Sequence, residues 1–178
     1  MLLPSRECLA DIANALNLTS AVEVGTHQAV FAQAFMRRFR GTIALIDPWD
    51  GFDADGDTFY PAFNEALRDR SADLQIARTA MQEFGDRVAF HVGTSEDKVK
   101  LFADASVGLV YIDGLHDYAS VSRDIRLWYP KVVPGGIFAG HDFTYALPGV
   151  VRAVDAFRRE IRTEIHLTIA DDTWSSWW

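Results

Sequence analysis

An apolar run, Val-Gly-Leu-Val-Tyr-Ile at 107–112, ends in an acid, Asp113. It then passes through Gly114-Leu115-His116-Asp117 into a stretch with Tyr118, Val121, Ile125 and Trp128 at helical spacing. No other feature restricts the fold as much. A continuous apolar run of strand length reads as a strand buried on both faces, and a helix returning from its end is the crossover of a parallel sheet. In open α/β sheets, ligands bind outside the carboxyl ends of the strands. Asp113 and His116 therefore stand where chemistry is expected.

The same unit recurs along the chain. Ser5 can cap a helix to about residue 16, and a strand at 21–25 carries Glu23 and Gly25 at its end. A helix is expected at 29–39, a strand at 42–47 ending in Asp47, and a polar Gly/Asp-rich loop at 50–58. Residues 60–84 read as helix in two pieces, 87–92 as a strand, and 95–102 as a short helix. Beyond the opening segment, Val132-Val133-Pro134-Gly135-Gly136 reads as a turn and 136–140 as a strand followed by His141-Asp142. A helix at 150–161 and an antiparallel pair at 164–170 and 173–178 close the chain. This alternation predicts one α/β domain over 1–178, doubly wound around a mostly parallel sheet.

A chain of 178 residues is the usual size of one domain, and 49% hydrophobic with 24% charged residues is globular composition. The net charge of −8, with no block of lysines or arginines, disfavours nucleic acid or an anionic membrane as partner. Cys8 is the single cysteine, which excludes an internal disulfide and fits a reducing compartment. Residues 1–7 lack a signal-peptide pattern, and no apolar run approaches the ~18 residues of a membrane span, so a cytoplasmic protein is expected. Trp174, Trp177 and Trp178 cluster at the end of the sequence. They are expected to pack on the sheet edge, with a homo-oligomer interface through these strands as the alternative.

Five strand ends carry candidate site residues. In Glu23-Val24-Gly25-Thr26-His27-Gln28-Ala29, only Gly25 survives of a dinucleotide fingerprint, so a pyrophosphate-binding dehydrogenase is poorly supported. Asp47 follows Glu23 by one crossover, the spacing of a ribose-binding acid. Trp49 beside it is a candidate to stack on a base, and Pro48 stiffens the turn. Thr94 and Ser95 offer hydroxyls after the third strand, where Ser95 serves equally well as a helix cap. Asp113, His116, His141 and Asp142 should share one rim. That oxygen-rich set with imidazole suits Mg²⁺ or Mn²⁺, and a solvated polar rim is the plainer reading.

Taken together, the acid-x-glycine loop, Asp113-Gly114-Leu115-His116-Asp117-Tyr118, Val133-Pro134-Gly135-Gly136 and Gly140-His141-Asp142 resemble the small bacterial class I S-adenosylmethionine-dependent methyltransferases. The nearest group is the macrocin-type sugar O-methyltransferases. The resemblance spans about 21–142 and implies a seven-stranded sheet with an antiparallel last strand. It implies S-adenosylmethionine bound along Glu23, Gly25, Thr26, Asp47, Trp49, Thr94, Ser95 and Asp113. It also implies a divalent metal on Asp113, His141 and Asp142, with His116 as general base beside Asp113 and a small-molecule hydroxyl, a sugar's, as acceptor. The loop with Asp53, Asp55 and Gly56 would then form a lid. The chain departs from the family at His27 and Ala29, which stand for glycines, and at His141, which stands for an acid. Two other classes stay open: a metal-dependent hydrolase using the His/Asp rim, and a catalytically silent binding module of the same fold.

Overall fold

The structure is a computed structural model that describes residues 3–49, 70–169 and 174–178. The expected lid and the first part of the helix expected at 60–84 lie outside these residues. The strands are β1 (Ser20–Val24), β2 (Thr42–Asp47), β3 (Val88–Val92), β4 (Val107–Ile112), β5 (Val132–Phe143) and β6 (Ser175–Trp177). The helices are α1 (Leu9–Ala15), α2 (Val30–Met36), α3 (Asp73–Met81), α4 (Ser95–Lys98), α5 (Tyr118–Trp128) and α6 (Pro148–Ile161). The sheet order is β3-β2-β1-β4-β5-β6. Strands β1 to β5 pair in parallel, and β6 runs antiparallel to β5.

Strand alternation divides the apolar side chains between two faces. Ala21, Ile43, Leu45, Leu109 and Tyr111 face one core with Leu9, Phe31, Phe35 and Met81 from α1, α2 and α3. Val22, Val24, Ile46, Val110 and Ile112 face the other with Val121, Ile125 and Trp128 from α5 and Val150 and Val154 from α6. All six residues of β4 are buried, as the apolar run requires of the strand between β1 and β5.

Three expectations are corrected. The described residues form six strands, not seven, because 164–170 contributes only isolated bridges, Leu167 to Trp177 and Leu3 to Thr168. The turn expected at 132–136 is part of β5. Val107 pairs with Val132 and Leu109 with Ile137, so the Pro134-Gly135-Gly136 segment is absorbed as a bulge, with Gly135 at φ +78°. Thr94, not Ser95, caps α4, accepting from the Asp97 N–H. Asp117 caps α5, so His116 lies just ahead of that helix. The C-terminal tryptophans pack on the protein itself. Trp177 is buried with its ring 5.6 Å from that of Phe138, and Trp178 and Trp174 lean on the two cores. Among the described residues, no helix is long and apolar enough to cross a membrane.

Candidate functional site

Parallel register sets the strand ends level. Val24 lies opposite both Ile46 and Ile112, and Ile112 opposite Gly140. The residues that follow, Gly25, Asp47, Asp113 and His141-Asp142, consequently meet along one rim. Glu23 points into the α1/α2/α3 face, one position short of the end, with Tyr111 opposite it on β4. It is 1% exposed, and neither its Oε2 nor the Thr26 hydroxyl has a partner among the described residues. Burial raises its pKa well above the carboxylate range, and the charge of Asp113 adds to the shift.

The loop from β1 to α2 keeps the backbone of a glycine loop without the glycines. His27 and Ala29, at the two substituted family positions, have φ of 51° and 63°. A left-handed non-glycine residue costs about 1–2 kcal/mol. Gly25, at φ +89°, has a second constraint: a Cβ there would lie 2.1 Å from the Asp113 carbonyl oxygen. Its glycine thus lets the loops after β1 and β4 close on each other.

Asp47 already accepts three hydrogen bonds. The Trp49 N–H donates to Oδ1 at 2.8 Å, while the His27 N–H at 2.8 Å and Arg70 Nη2 at 3.0 Å donate to Oδ2. Arg70 also pairs with Asp73 at 3.1 Å, and Asp73 accepts from Gln28 at 2.8 Å and lies 3.1 Å from His27 Nε2. Trp49 is buried against Phe90 and donates its indole N–H to the His27 carbonyl at 2.7 Å. Its ring therefore packs within the protein and is not presented at the rim. Ser95 accepts the Trp128 indole N–H at 2.8 Å.

At the other half of the rim, the side chains form one chain of alternating charge. Arg6 Nη1 lies 3.6 Å from Asp113 Oδ2, and Asp113 Oδ1 lies 3.6 Å from His141 Nδ1. That nitrogen is 2.9 Å from Asp142 Oδ1, and Asp142 Oδ2 is 2.7 Å from His116 Nε2. Burial disfavours a charged His141, but hydrogen bonds and charge from Asp113 and Asp142 push its pKa up to about 10. Burial likewise opposes charge on His116, and the hydrogen bond and charge of Asp142 outweigh it, for a net rise. Burial would raise Asp142, yet its bonds to the two imidazoles hold it well below the carboxylate range. One ligand atom each from Asp113, His141 and Asp142 falls within 4.8 Å of the others. Two carboxylates and an imidazole so grouped fit a hard divalent cation, which would take the place of the His141 Nδ1 proton.

The structure thus gathers Asp113, His116, His141 and Asp142, and sets Glu23, Gly25 and Asp47 level with them. Sequence reasoning missed Arg6 on a helical turn, Arg70 just ahead of α3 and Asp73 at its start, none of which carries a spacing signal. It also missed Asp124, an acid on the apolar stripe of α5, which was visible in the pattern.

Known proteins share this fold. The family described as "Methyltransferase domain" matches residues 22–143. An uncharacterized protein of Sinorhizobium fredii is 25% identical over 136 residues, 74% of this chain, and the match spans only 14% of that protein's length. Among solved structures, an O-methyltransferase from Bacillus cereus in complex with S-adenosylhomocysteine superposes with a TM-score of 0.69 at 13% identity, covering 96% of this chain and 77% of the other. The O-methyltransferase NovP gives 0.66 at 20% identity, over 96% of this chain and 78% of that one. The O-methyltransferase TomG of Streptomyces achromogenes, in complex with S-adenosylmethionine, gives 0.65 at 13%, over 96% and 76%.

Proposed function

The chain belongs to the methyltransferase-domain family, and on that premise we propose that it transfers a methyl group from S-adenosylmethionine to a hydroxyl of a small molecule, a sugar by preference. The observation that carries this reading is the His116–Asp142 pair, 2.7 Å apart, on the rim that also holds Asp113 and the buried carboxyl of Glu23. Bound S-adenosylmethionine supplies an electrophilic methyl on a sulfonium, which keeps the electron pair of the breaking C–S bond as the acceptor oxygen forms the new C–O bond.

The protein's own contribution is placement and proton removal. Asp142 takes the Nε2–H of His116, which leaves Nδ1 as the basic nitrogen to accept the hydroxyl proton. The negative Asp142 stabilises the imidazolium that results. Glu23 suits a cationic amino group, because the buried Oε2, which has no partner among the described residues, gains from a charged donor. A divalent cation on Asp113, His141 and Asp142 would lower the pKa of the acceptor hydroxyl. The left-handed backbone kept at His27 and Ala29 speaks for a functional loop and against a decayed one.

The test is direct. Purified protein titrated calorimetrically with S-adenosylhomocysteine should bind it at micromolar level. With S-adenosylmethionine and a panel of sugar hydroxyls, mass spectrometry should find singly methylated products. Absence of nucleoside binding would refute the reading, and binding without any transfer would leave a silent binding module.

A further inference from the structure

His116 and Asp142 stand on different segments, one on the loop after β4 and the other near the end of β5. A short connection ties them together. From Asp142, itself left-handed at φ +62°, the chain turns directly into α6. The Thr144 N–H donates to the Asp142 carbonyl at 2.8 Å, and the Leu147 N–H donates to the Thr144 carbonyl at 3.0 Å. The Ala146 N–H donates to the Thr144 hydroxyl at 3.4 Å. Pro148 then opens α6.

At its second residue, Gly149, this helix returns to the backbone that carries His116. A Cβ built on Gly149 would lie 2.3 Å from the His116 carbonyl oxygen, 2.7 Å from the Tyr118 amide nitrogen and 2.9 Å from the Asp117 carbonyl carbon. All three are backbone atoms, so no side-chain rotation makes room. Farther along α6, the Arg152 guanidinium lies 4.9 Å over the Tyr118 ring and holds the same stretch. The segment 142–149 therefore carries Asp142 at one end and a seat for the His116 loop at the other.

Space, and not dihedral angle, requires the glycine, because Gly149 lies in the helix without the left-handed backbone of Gly25. Ordinary carbon–oxygen contacts lie near ~3.3 Å, so a methyl group there forces a shift of about 1 Å. Helix α6 is the stiffer side, since Val150, Ala153 and Val154 are buried in the core. Residues 114–117 are only half-buried, so the loop yields and the imidazole moves with it. At 2.7 Å the His116–Asp142 contact is a good hydrogen bond, and at ~3.6 Å it is none.

We infer that Gly149 is a positioning residue for the general base: it lets the first turn of α6 seat the 116–118 backbone and so fixes the His116 imidazole against Asp142. The inference rests on the reading of His116 as the base.

The experiment compares wild type, Gly149→Ala and Val150→Ala. The last empties core volume from the same turn of α6 and is the control for lost stability. With S-adenosylmethionine and a hydroxyl acceptor from the sugar panel, Gly149→Ala should lower kcat by roughly 10- to 10²-fold, the cost of a misplacement of about 1 Å, while acceptor KM and S-adenosylhomocysteine affinity stay within about twofold. Val150→Ala should lower Tm and keep the wild-type kcat at a temperature where it is folded. A second readout needs no acceptor. The His116 Nε2 proton, held on Asp142, should give a downfield imidazole N–H resonance in proton NMR, identified by its absence from His116→Ala. It should persist in Val150→Ala and vanish from Gly149→Ala by exchange with water. A Gly149→Ala protein that keeps either the wild-type kcat or the resonance overturns the inference, as does a kcat loss shared equally by Val150→Ala. Absence of S-adenosylhomocysteine binding by the wild type overturns the methyltransferase reading instead, and the resonance then still decides whether Gly149 sets the pair.

Discussion

Replacing Asp124 by Asn should stabilise the free protein, and the gain should depend on pH. Burial pushes the Asp124 carboxyl from 3.8 to about 6, against smaller opposing effects of Ser95 and Arg123. Below the unfolded value of 3.8, both states are protonated and the group contributes nothing. As pH rises past that value, the unfolded chain ionises first, which favours unfolding. Above the folded value the penalty is complete, at about 3 kcal/mol for a shift of roughly two units. Asn presents a neutral amide of nearly the same shape to Ser95, so it meets the site much as the protonated acid does. The expected gain at pH 8 is about 1–3 kcal/mol, or roughly 2–10 °C in Tm for a chain of this size. At pH 5 it should be roughly half as large. Denaturant unfolding of both proteins at the two pH values measures it. A variant that is less stable at pH 8, or more stable by an amount independent of pH, would refute the reasoning.

Five further outcomes are expected. His116→Ala should lower kcat by ~10²–10⁴ with S-adenosylhomocysteine affinity intact, the usual worth of a positioned base. Because His116 is raised and must be neutral to act, activity should fall as pH drops through a midpoint above the ordinary imidazole value of about 6.5, and Asp142→Asn should move that midpoint down. A chelator should abolish turnover and Mg²⁺ or Mn²⁺ should restore it; full activity in chelator would exclude the metal and leave the base in place. Ala29→Gly should leave stability within about 1 kcal/mol of wild type in denaturant unfolding, since relief of the left-handed strain is offset by the entropy that glycine adds to the unfolded chain and by loss of a buried methyl. Asp47→Ala should weaken nucleoside binding by about 1–3 kcal/mol and also lower stability by about 3 kcal/mol, because Arg70 loses a buried partner.

The parallel core was legible because its strands are short apolar runs that each stop at an acid or a glycine. The 42–47 run, for instance, coincides with β2 residue for residue. The closing pair was not, because 164–170 makes only scattered bridges and its alternation looks like that of a regular strand. Pro134-Gly135-Gly136 reads as a turn by any local rule, yet pairing with β4 on both sides carries the strand through it. At the site, residues at strand ends could be placed from topology alone. Arg6 and Arg70 could not, since their partners Asp113 and Asp47 lie far along the sequence. Asp124 was a readable anomaly, a charge on a buried stripe, although the missing partner of its Oδ1 among the described residues shows only in three dimensions. Trp49 could be placed beside Asp47 from the sequence, but the contacts of its indole with Phe90 and the His27 carbonyl could not.

The strand order has a consequence during biosynthesis. β1 can pair with β2 as soon as the first 47 residues are available, through Ser20–Thr42 to Val24–Ile46. Its other edge belongs to β4, where Ala21 meets Leu109 and Val24 meets Ile112. These partners lie 88 residues apart, and at ~5–20 residues per second a ribosome needs about 4–18 s to deliver them. Throughout that interval the nascent chain carries an apolar strand with one row of backbone groups unmatched, a template for any other strand nearby. Slow codons placed before residue 107 would lengthen the exposure, and a chaperone that shields Ser20–Val24 would have its greatest effect in the same window.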